Sequence, residues 1–358
     1  MLRPAELFIV GYQGYRLPVE LATRFARGDF AGLIFFRRNF ASPDDAQAIA
    51  AELQAVMADY RAELPPPVLA IDHEGGRVQR LRGQVTVWPP MMSLHDQSLA
   101  LAESVGRAMA WELRALGLNV SFAPVLDVHT NPANPIIGDR AFGTAPDAAV
   151  ERALAYLRGL ESEPGLRGCG KHFPGHGDTE TDSHLTLPVV RRDWPTLEAV
   201  ELLPFRRAIS AGIGMLMTAH VVYPAIDERP ATLSRKWLHD VLRTQLGYTG
   251  LVVSDDLDMK AVTAEKLGIA DDSGVVVESL LAGCDAFLFC QEPERLARAE
   301  EALIRAAERS ATVRDRIAES AARLATFRRT LGDGRPVWDR LAQFPVAEHL
   351  QLREQLLR

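Results

Sequence analysis

Eight short apolar runs recur along the chain, each followed by a stretch patterned as helix, and this alternation limits the fold more than any other feature. The runs lie at residues 7–11, 32–36, 68–72, 119–127, 168–170, 214–220, 250–256 and 285–290. They are continuously apolar rather than alternating, as expected of strands buried on both faces. Helices are predicted over residues 18–26, 42–63, 99–116, 148–160, 196–211, 233–246 and 273–282, with one long helical region over 292–331. Ser42 followed by Pro43 reads as a cap and first helical position, and the proline run 65–67 as a stop. Eight such units make a single-domain α/β protein, a (β/α)8 TIM-like barrel, with its functional loops at the C-terminal ends of the strands. Residues 1–334 are assigned to the barrel and 335–358 to a C-terminal tail packed on it or trailing from it. With 358 residues, 47% of them hydrophobic, the chain can fill one large core, and no Gly-, Ser- or Pro-rich linker divides it. A doubly wound sheet is the alternative. No dinucleotide fingerprint follows the first strand, however, and the Gly168–Gly170 pair leads into Lys171 and His172 where helix packing needs a small residue.

The titratable residues fall where a barrel carries its chemistry. Asp72 ends the third strand, Asp127 the fourth with Arg140 in the loop beyond, Lys171 and His172 the fifth, His220 the sixth, and Asp255 and Asp256 the seventh. The densest stretch runs from Lys171 to His184 and holds three histidines, two aspartates, a glutamate and two glycines. A core segment would not tolerate that much charge, so it reads as a loop leaving a strand. Each residue also has a plain structural reading. Asp72 to Arg77 could be a glycine-assisted turn with internal ion pairs. Arg80 alone fits a surface helix. Asp127 and His129 fit loop-ordering hydrogen bonds, and Arg140 could pair with its neighbour Asp139. His220 fits a satisfied histidine at the core edge, and Asp256 a residue that holds a neighbour in place.

Three chemistries suit a rim of carboxylates, histidines, arginine and lysine. Glycoside hydrolysis needs a nucleophilic carboxylate, a proton donor and polar groups that clamp sugar hydroxyls. A histidine can supply the proton, and in Asp182-Ser183-His184 the aspartate can orient the imidazole. Metal-dependent hydrolysis could draw on His172, His176, Asp178 and His184, although their spacing follows no helix-borne ligand pattern. A non-catalytic sugar- or anion-binding barrel would use Arg140 and Lys171 but not the Asp-Ser-His trio. The net charge of −7 and the lack of a basic stripe argue against nucleic acid. Three scattered cysteines, Cys169, Cys284 and Cys290, argue for a reducing compartment. The N-terminus lacks the apolar core of a signal peptide, and no run is long enough to span a bilayer. A soluble, cytoplasmic protein with no membrane partner is expected.

Several motifs together resemble glycoside hydrolase family 3, most of all its bacterial β-N-acetylglucosaminidase (β-hexosaminidase) branch. They are Asp72-x-Glu74-Gly75-Gly76-Arg77-Val78-Gln79-Arg80; Phe122 to Asp127 with Asn131-Pro132, Asn134-Pro135 and Gly138 to Gly143; Lys171 to Asp178 followed by Asp182-Ser183-His184; Met217 to His220; Pro230 to Ser234; and Ser254-Asp255-Asp256-Leu257. The resemblance implies Asp255 as the nucleophile of a retaining mechanism with a covalent glycosyl-Asp intermediate. It implies His184 as general acid/base supported by Asp182, and Asp72, Arg80, Arg140, Lys171 and His172 as sugar-binding residues. The implied reaction removes terminal non-reducing β-linked N-acetylglucosamine from muropeptide fragments of peptidoglycan in cytoplasmic cell-wall recycling. No metal or organic cofactor is implied, and a monomer is expected. Phosphorolysis and β-glucosidase activity are the alternatives within the family. The loop bearing His184, punctuated by Gly175 and Gly177, is expected to move between open and closed positions.

Overall fold

The computed structural model describes residues 3–180, 187–269 and 271–357. Its principal sheet is parallel throughout and closes into a barrel. We number the strands β1 (Phe8–Val10), β2 (Gly32–Phe35), β3 (Val68–Ile71), β4 (Val120–Ser121), β5 (in two pieces, Arg167–Gly168 and Gly170–Phe173), β6 (Met215–Thr218), β7 (Leu251–Asp256) and β8 (Ala286–Phe289). Each pairs in parallel with its sequence neighbours, and β8 returns to β1 through Phe8↔Phe287, Ile9↔Leu288 and Val10↔Phe289. The two pieces of β5 carry the closure, because Arg167–Gly168 pairs with β4 and Gly170–Phe173 with β6. At the break, the Cys169 N–H reaches both Ser121 O and Ala123 O, at 3.0 and 2.8 Å. A Cβ on Gly168 would meet Ala123 O at 2.8 Å, so glycine allows this close approach.

The continuous apolar runs do what their pattern demands, since every residue of β1, β2, β3 and β8 is buried. Each such Val, Leu, Ile or Phe contributes about 1.5–3 kcal/mol on leaving water. Helices α1 (Val19–Ala26), α2 (Ala46–Met57), α3 (Leu99–Leu116), α4 (Pro146–Glu161), α5 (Leu202–Ser210), α6 (Lys236–Gln245), α7 (Gly274–Ala282), α8 (Pro293–Arg309), α9 (Ala311–Arg328) and α10 (Ala347–Leu356) complete the fold. Ser98 Oγ accepts the Leu101 N–H to cap α3, and Gly117 ends it in the left-handed region at φ 102°.

Some boundaries differ from the sequence reading. Helix α2 starts three residues later than the Ser42-Pro43 signal suggests, because Asp45 caps it by accepting from Gln47 N and Ala48 N. The helical region 292–331 is two helices, which meet at an extended Ser310 whose Oγ caps the second. The fourth strand is only Val120–Ser121, and Lys171 and His172 lie within β5 rather than at its end. Residues 335–357 fold back onto the barrel. Phe344 stacks on Trp111 of α3 at 5.8 Å between ring centroids, and His349 Nδ1 lies 2.9 Å from the buried Glu112 carboxylate.

Candidate active site

A cavity of about 600 Å³ opens at the C-terminal end of the barrel, a size suited to a small organic ligand. Ile34 on β2, Phe122 just past β4, Met217 on β6 and Leu288 on β8 line it. One apolar side chain from each even-numbered strand is the layering that fills barrels of this kind. Most of the polar lining comes from the odd strands and their loops, Asp72 and Glu74 after β3, Lys171 and His172 on β5, and Asp255 and Asp256 on β7, and Arg140 joins it from the loop after β4. The barrel's own geometry therefore separates an apolar floor from a charged rim.

Five charged groups on that rim form one network. Lys171 Nζ lies 2.9 Å from Asp72 Oδ1 and 2.5 Å from Glu74 Oε1. Arg80 Nη2 lies 3.2 Å from Asp72 Oδ2. Arg140 forks onto Glu74, Nε to Oε2 at 2.8 Å and Nη2 to Oε1 at 2.9 Å, the bidentate geometry that guanidinium and carboxylate share. Burial alone would raise the Asp72 carboxyl, but the Lys171 and Arg80 charges outweigh it and hold Asp72 well below the usual carboxylate range. Glu74 is likewise lowered against burial by Arg140 and Lys171. Burial would lower Lys171, yet Asp72 and Glu74 raise it above its ordinary value. Asp72, Glu74 and Lys171 therefore stay ionised at neutral pH, and a carboxylate beside an ammonium and a guanidinium can hold several sugar hydroxyls at once.

The rest of the rim is braced from behind. Asp127 accepts from His172 N at 3.2 Å and His176 N at 2.6 Å, and pairs with His172 Nδ1 at 2.7 Å. A carboxylate only accepts, so His172 Nδ1 carries its proton and its Nε2 is the other polar atom of the ring. Asp255 lines the cavity and accepts the Asp256 N–H at 2.8 Å. Asp256 takes Asp258 N at 3.0 Å and Cys290 N at 3.2 Å. Burial first, then Asp258, pushes the Asp256 carboxyl up to about 7. His220 is buried between Thr232 Oγ1 and the Asp256 carbonyl, at 2.8 and 3.1 Å, and so fixes the backbone that presents both aspartates.

All six of Asp72, Arg80, Arg140, Lys171, His172 and Asp255 line this one cavity. Asp182 and His184, and with them the segment expected to open and close, lie outside the described residues. Arg140 pairs with Glu74, whereas Asp139 faces Arg77 at 3.4 Å. The sequence reading passed over Glu74 as a site residue. The available signal was its spacing: in extended chain, Asp72 and Glu74 point the same way and His73 the other. His73 is indeed buried outside the cavity lining, and burial first, then Arg80 and Arg82, lowers it to about 3. Of the metal-ligand candidates, Asp178 is engaged by Arg192, and His176 Nδ1 by Thr179 Oγ1. Among the described residues no group of three or more His, Cys, Asp or Glu side chains is arranged around a metal position.

Comparison with known proteins decides which of the three chemistries applies. The pattern of the glycosyl hydrolase family 3 N terminal domain matches residues 6–327. The chain belongs to glycosyl hydrolase family 3. Among curated members, it is 42% identical over 270 residues to a β-hexosaminidase of Nitrosomonas eutropha, covering 74% of each chain. It is 43% identical over 273 residues to a β-hexosaminidase of Thiobacillus denitrificans, covering 74% of this chain and 72% of that protein. Among solved family 3 structures, NagZ of Neisseria gonorrhoeae in complex with N-trifluoroacetyl-D-glucosamine superposes with a TM-score of 0.77 at 32% identity, over 97% of this chain and 96% of that one. A family 3 β-N-acetylglucosaminidase from Paenibacillus sp. gives 0.85 at 35% identity, over 99% of this chain and 67% of the other. The protein is thus a glycoside hydrolase on a single (β/α)8 barrel.

Proposed function

We propose that the protein removes terminal non-reducing β-linked N-acetylglucosamine from muropeptide fragments in cytoplasmic cell-wall recycling, with retention of configuration. Asp255 attacks the anomeric carbon and forms a glycosyl ester as the leaving oxygen takes a proton from His184. Water, deprotonated by the same histidine, then releases the sugar and restores the Asp255 carboxylate. Asp182 orients the imidazole and stabilises its cationic form. Asp72, Arg80, Arg140, Lys171 and His172 hold the sugar, with Glu74 keeping two of those cations in place. Residues 1–334 serve as the catalytic barrel and 335–358 as its appendage. The chemistry needs no metal or organic cofactor.

One observation carries this reading: Asp255 shares a single cavity with the Asp72–Lys171–Arg140 array, so a carboxylate stands beside groups suited to clamp sugar hydroxyls. The names of the relatives, β-hexosaminidase, support the choice of sugar. The cellular setting is supported by three buried free thiols and by helices among the described residues that are too short or polar to cross a membrane. The test is hydrolysis of a chromogenic β-N-acetylglucosaminide beside the matching β-glucoside, in phosphate-free buffer. Wild type should turn over the first only, and Asp255→Ala should lose at least about 10⁴-fold in kcat while staying folded. Preference for the glucoside, or turnover only with added phosphate and release of a sugar 1-phosphate, would contradict the reading.

A further inference from the structure

Arg80 and Arg140 are both assigned to the sugar, yet they are held in different ways. Arg140 uses all three guanidinium nitrogens, Nε and Nη2 on Glu74 and Nη1 on Ile136 O at 3.1 Å. Arg80 follows the short hairpin strand Val78–Gln79 and is the more open of the two, its side chain 32% exposed against 10%. Among the described residues only its Nη2 makes a hydrogen bond, to Asp72 Oδ2. Its Nε is almost inaccessible and has no acceptor among them. A buried N–H without an acceptor is costly, and a single contact at one corner leaves a planar group free to turn about it. A second contact must set the plane of this guanidinium.

The ring of Phe36 supplies one. Phe36 directly follows β2 and lines the same cavity. The Arg80 guanidinium carbon lies over this ring, 5.4 Å from its centroid, within the ~6 Å at which a cation is drawn to the negative face of an aromatic ring. A ring face also accepts weakly from N–H groups. The ring is itself fixed from elsewhere. It packs against the hydrophobic core, the Phe36 N–H donates to Asn39 Oδ1 at 2.8 Å, and the Arg38 guanidinium lies over the ring at 4.1 Å. Arg38 in turn donates from Nε to Tyr12 O at 3.1 Å and from Nη2 to Cys290 O at 2.6 Å. Those carbonyls belong to the chain leaving β1 and β8, the two strands whose pairing closes the barrel. The ring is thus tied to the closing seam, and Arg80 lies against it.

We propose that Phe36 is a positioning residue for sugar binding: its ring face holds the Arg80 guanidinium beside Asp72, and Arg80 rather than the ring meets the sugar. This rests on the reading of Arg80 as a sugar-binding residue. The test is kcat/KM on the 2,4-dinitrophenyl β-glycoside of whichever sugar the wild type prefers, so a wrong choice of sugar leaves it standing. Phe36→Leu keeps an apolar side chain without the ring face and should lose about fivefold or more. Replacing Phe36 with phenylalanines that carry one, two and three ring fluorines weakens the negative face in steps and changes the size of the ring little. The logarithm of kcat/KM should fall with each fluorine while the melting temperature is unchanged. Arg80→Ala by itself should lose at least about tenfold. In that background the fluorine series should be flat, because no guanidinium is left to hold. A flat series with Arg80 intact would overturn the proposal. So would equal slopes in both backgrounds, since the ring would then act on the sugar directly or through Arg38. Arg80→Ala without any loss would remove Arg80 from the sugar first and the proposal with it.

Discussion

At Glu74 the cost of burying charge is met by geometry. Its carboxylate is almost inaccessible, yet it accepts both arms of the Arg140 fork and meets Lys171 Nζ. Removing one partner of such a group leaves the others buried without compensation, which typically costs about 3–5 kcal/mol. Glu74→Ala should therefore lose about 3 kcal/mol in a urea titration and most of kcat/KM, and Glu74→Gln should lose less of each. Asp72, Lys171, His172 and Asp255 drew the site reading because each is a charged or imidazole side chain where an apolar run ends, where burial makes charge conspicuous; Arg80, Arg140, Asp182 and His184 came with the family motifs. Glu74 lacks that position. It follows Asp72 by two residues in what reads as a turn, and only the closing of Arg140, from the loop after β4, and of Lys171, from β5, upon it reveals its place.

At the opposite end of the barrel, Asp285 performs a comparable task between elements. It precedes β8 and is fully buried. Its Oδ2 accepts from Arg243 of α6 at 2.6 Å and from Val252 N of β7 at 3.0 Å. Its Oδ1 accepts from Arg323 and Ser320 of α9 at 3.0 and 3.2 Å. One carboxylate thus joins two helices to two strands at the N-terminal face, where barrels of this kind keep stability rather than chemistry. Asp285→Ala should lower stability by about 3 kcal/mol or more, and the folded fraction should keep the wild-type KM. Elements as a class were readable because a strand buried on both faces and an amphipathic helix have different periods. Their ends were less so. The break at Ser310 falls in a stretch, 294–331, with no Gly or Pro, and the division of β5 at Cys169 follows from pairing with two different neighbours, which periodicity along one segment does not encode.

For the molecule as a whole, the perturbed carboxyls pull stability in opposite directions with pH. Burial raises Asp256 from 3.8 to about 7. Between those values the native state holds a proton that the unfolded chain has lost, so this contribution is complete below about pH 4 and lost as pH rises through about 7. Asp256→Asn removes the titration, and its melting temperature should fall less than wild type's between about pH 4 and 8; parallel curves would show that Asp256 does not carry the effect. Glu201, raised to about 7 mainly by burial, adds a slope of the same sign that remains in that variant. Asp72, Glu74 and Asp127, all lowered, act oppositely and give up their stabilisation as pH falls below the ordinary carboxylate range. The sequence by itself determined the alternation of buried strands and helices, the barrel, the family and the charged residues of the rim other than Glu74, because periodicity, strand-end position and motif are properties of order along the chain. Only the tertiary structure decided that Arg140 answers Glu74 rather than Asp139, that Lys171 stands between Asp72 and Glu74, and that one apolar side chain from each even strand or its end lines the cavity. Those are contacts between side chains far apart in sequence, and their energies depend on burial and distance, which arise only when the barrel closes.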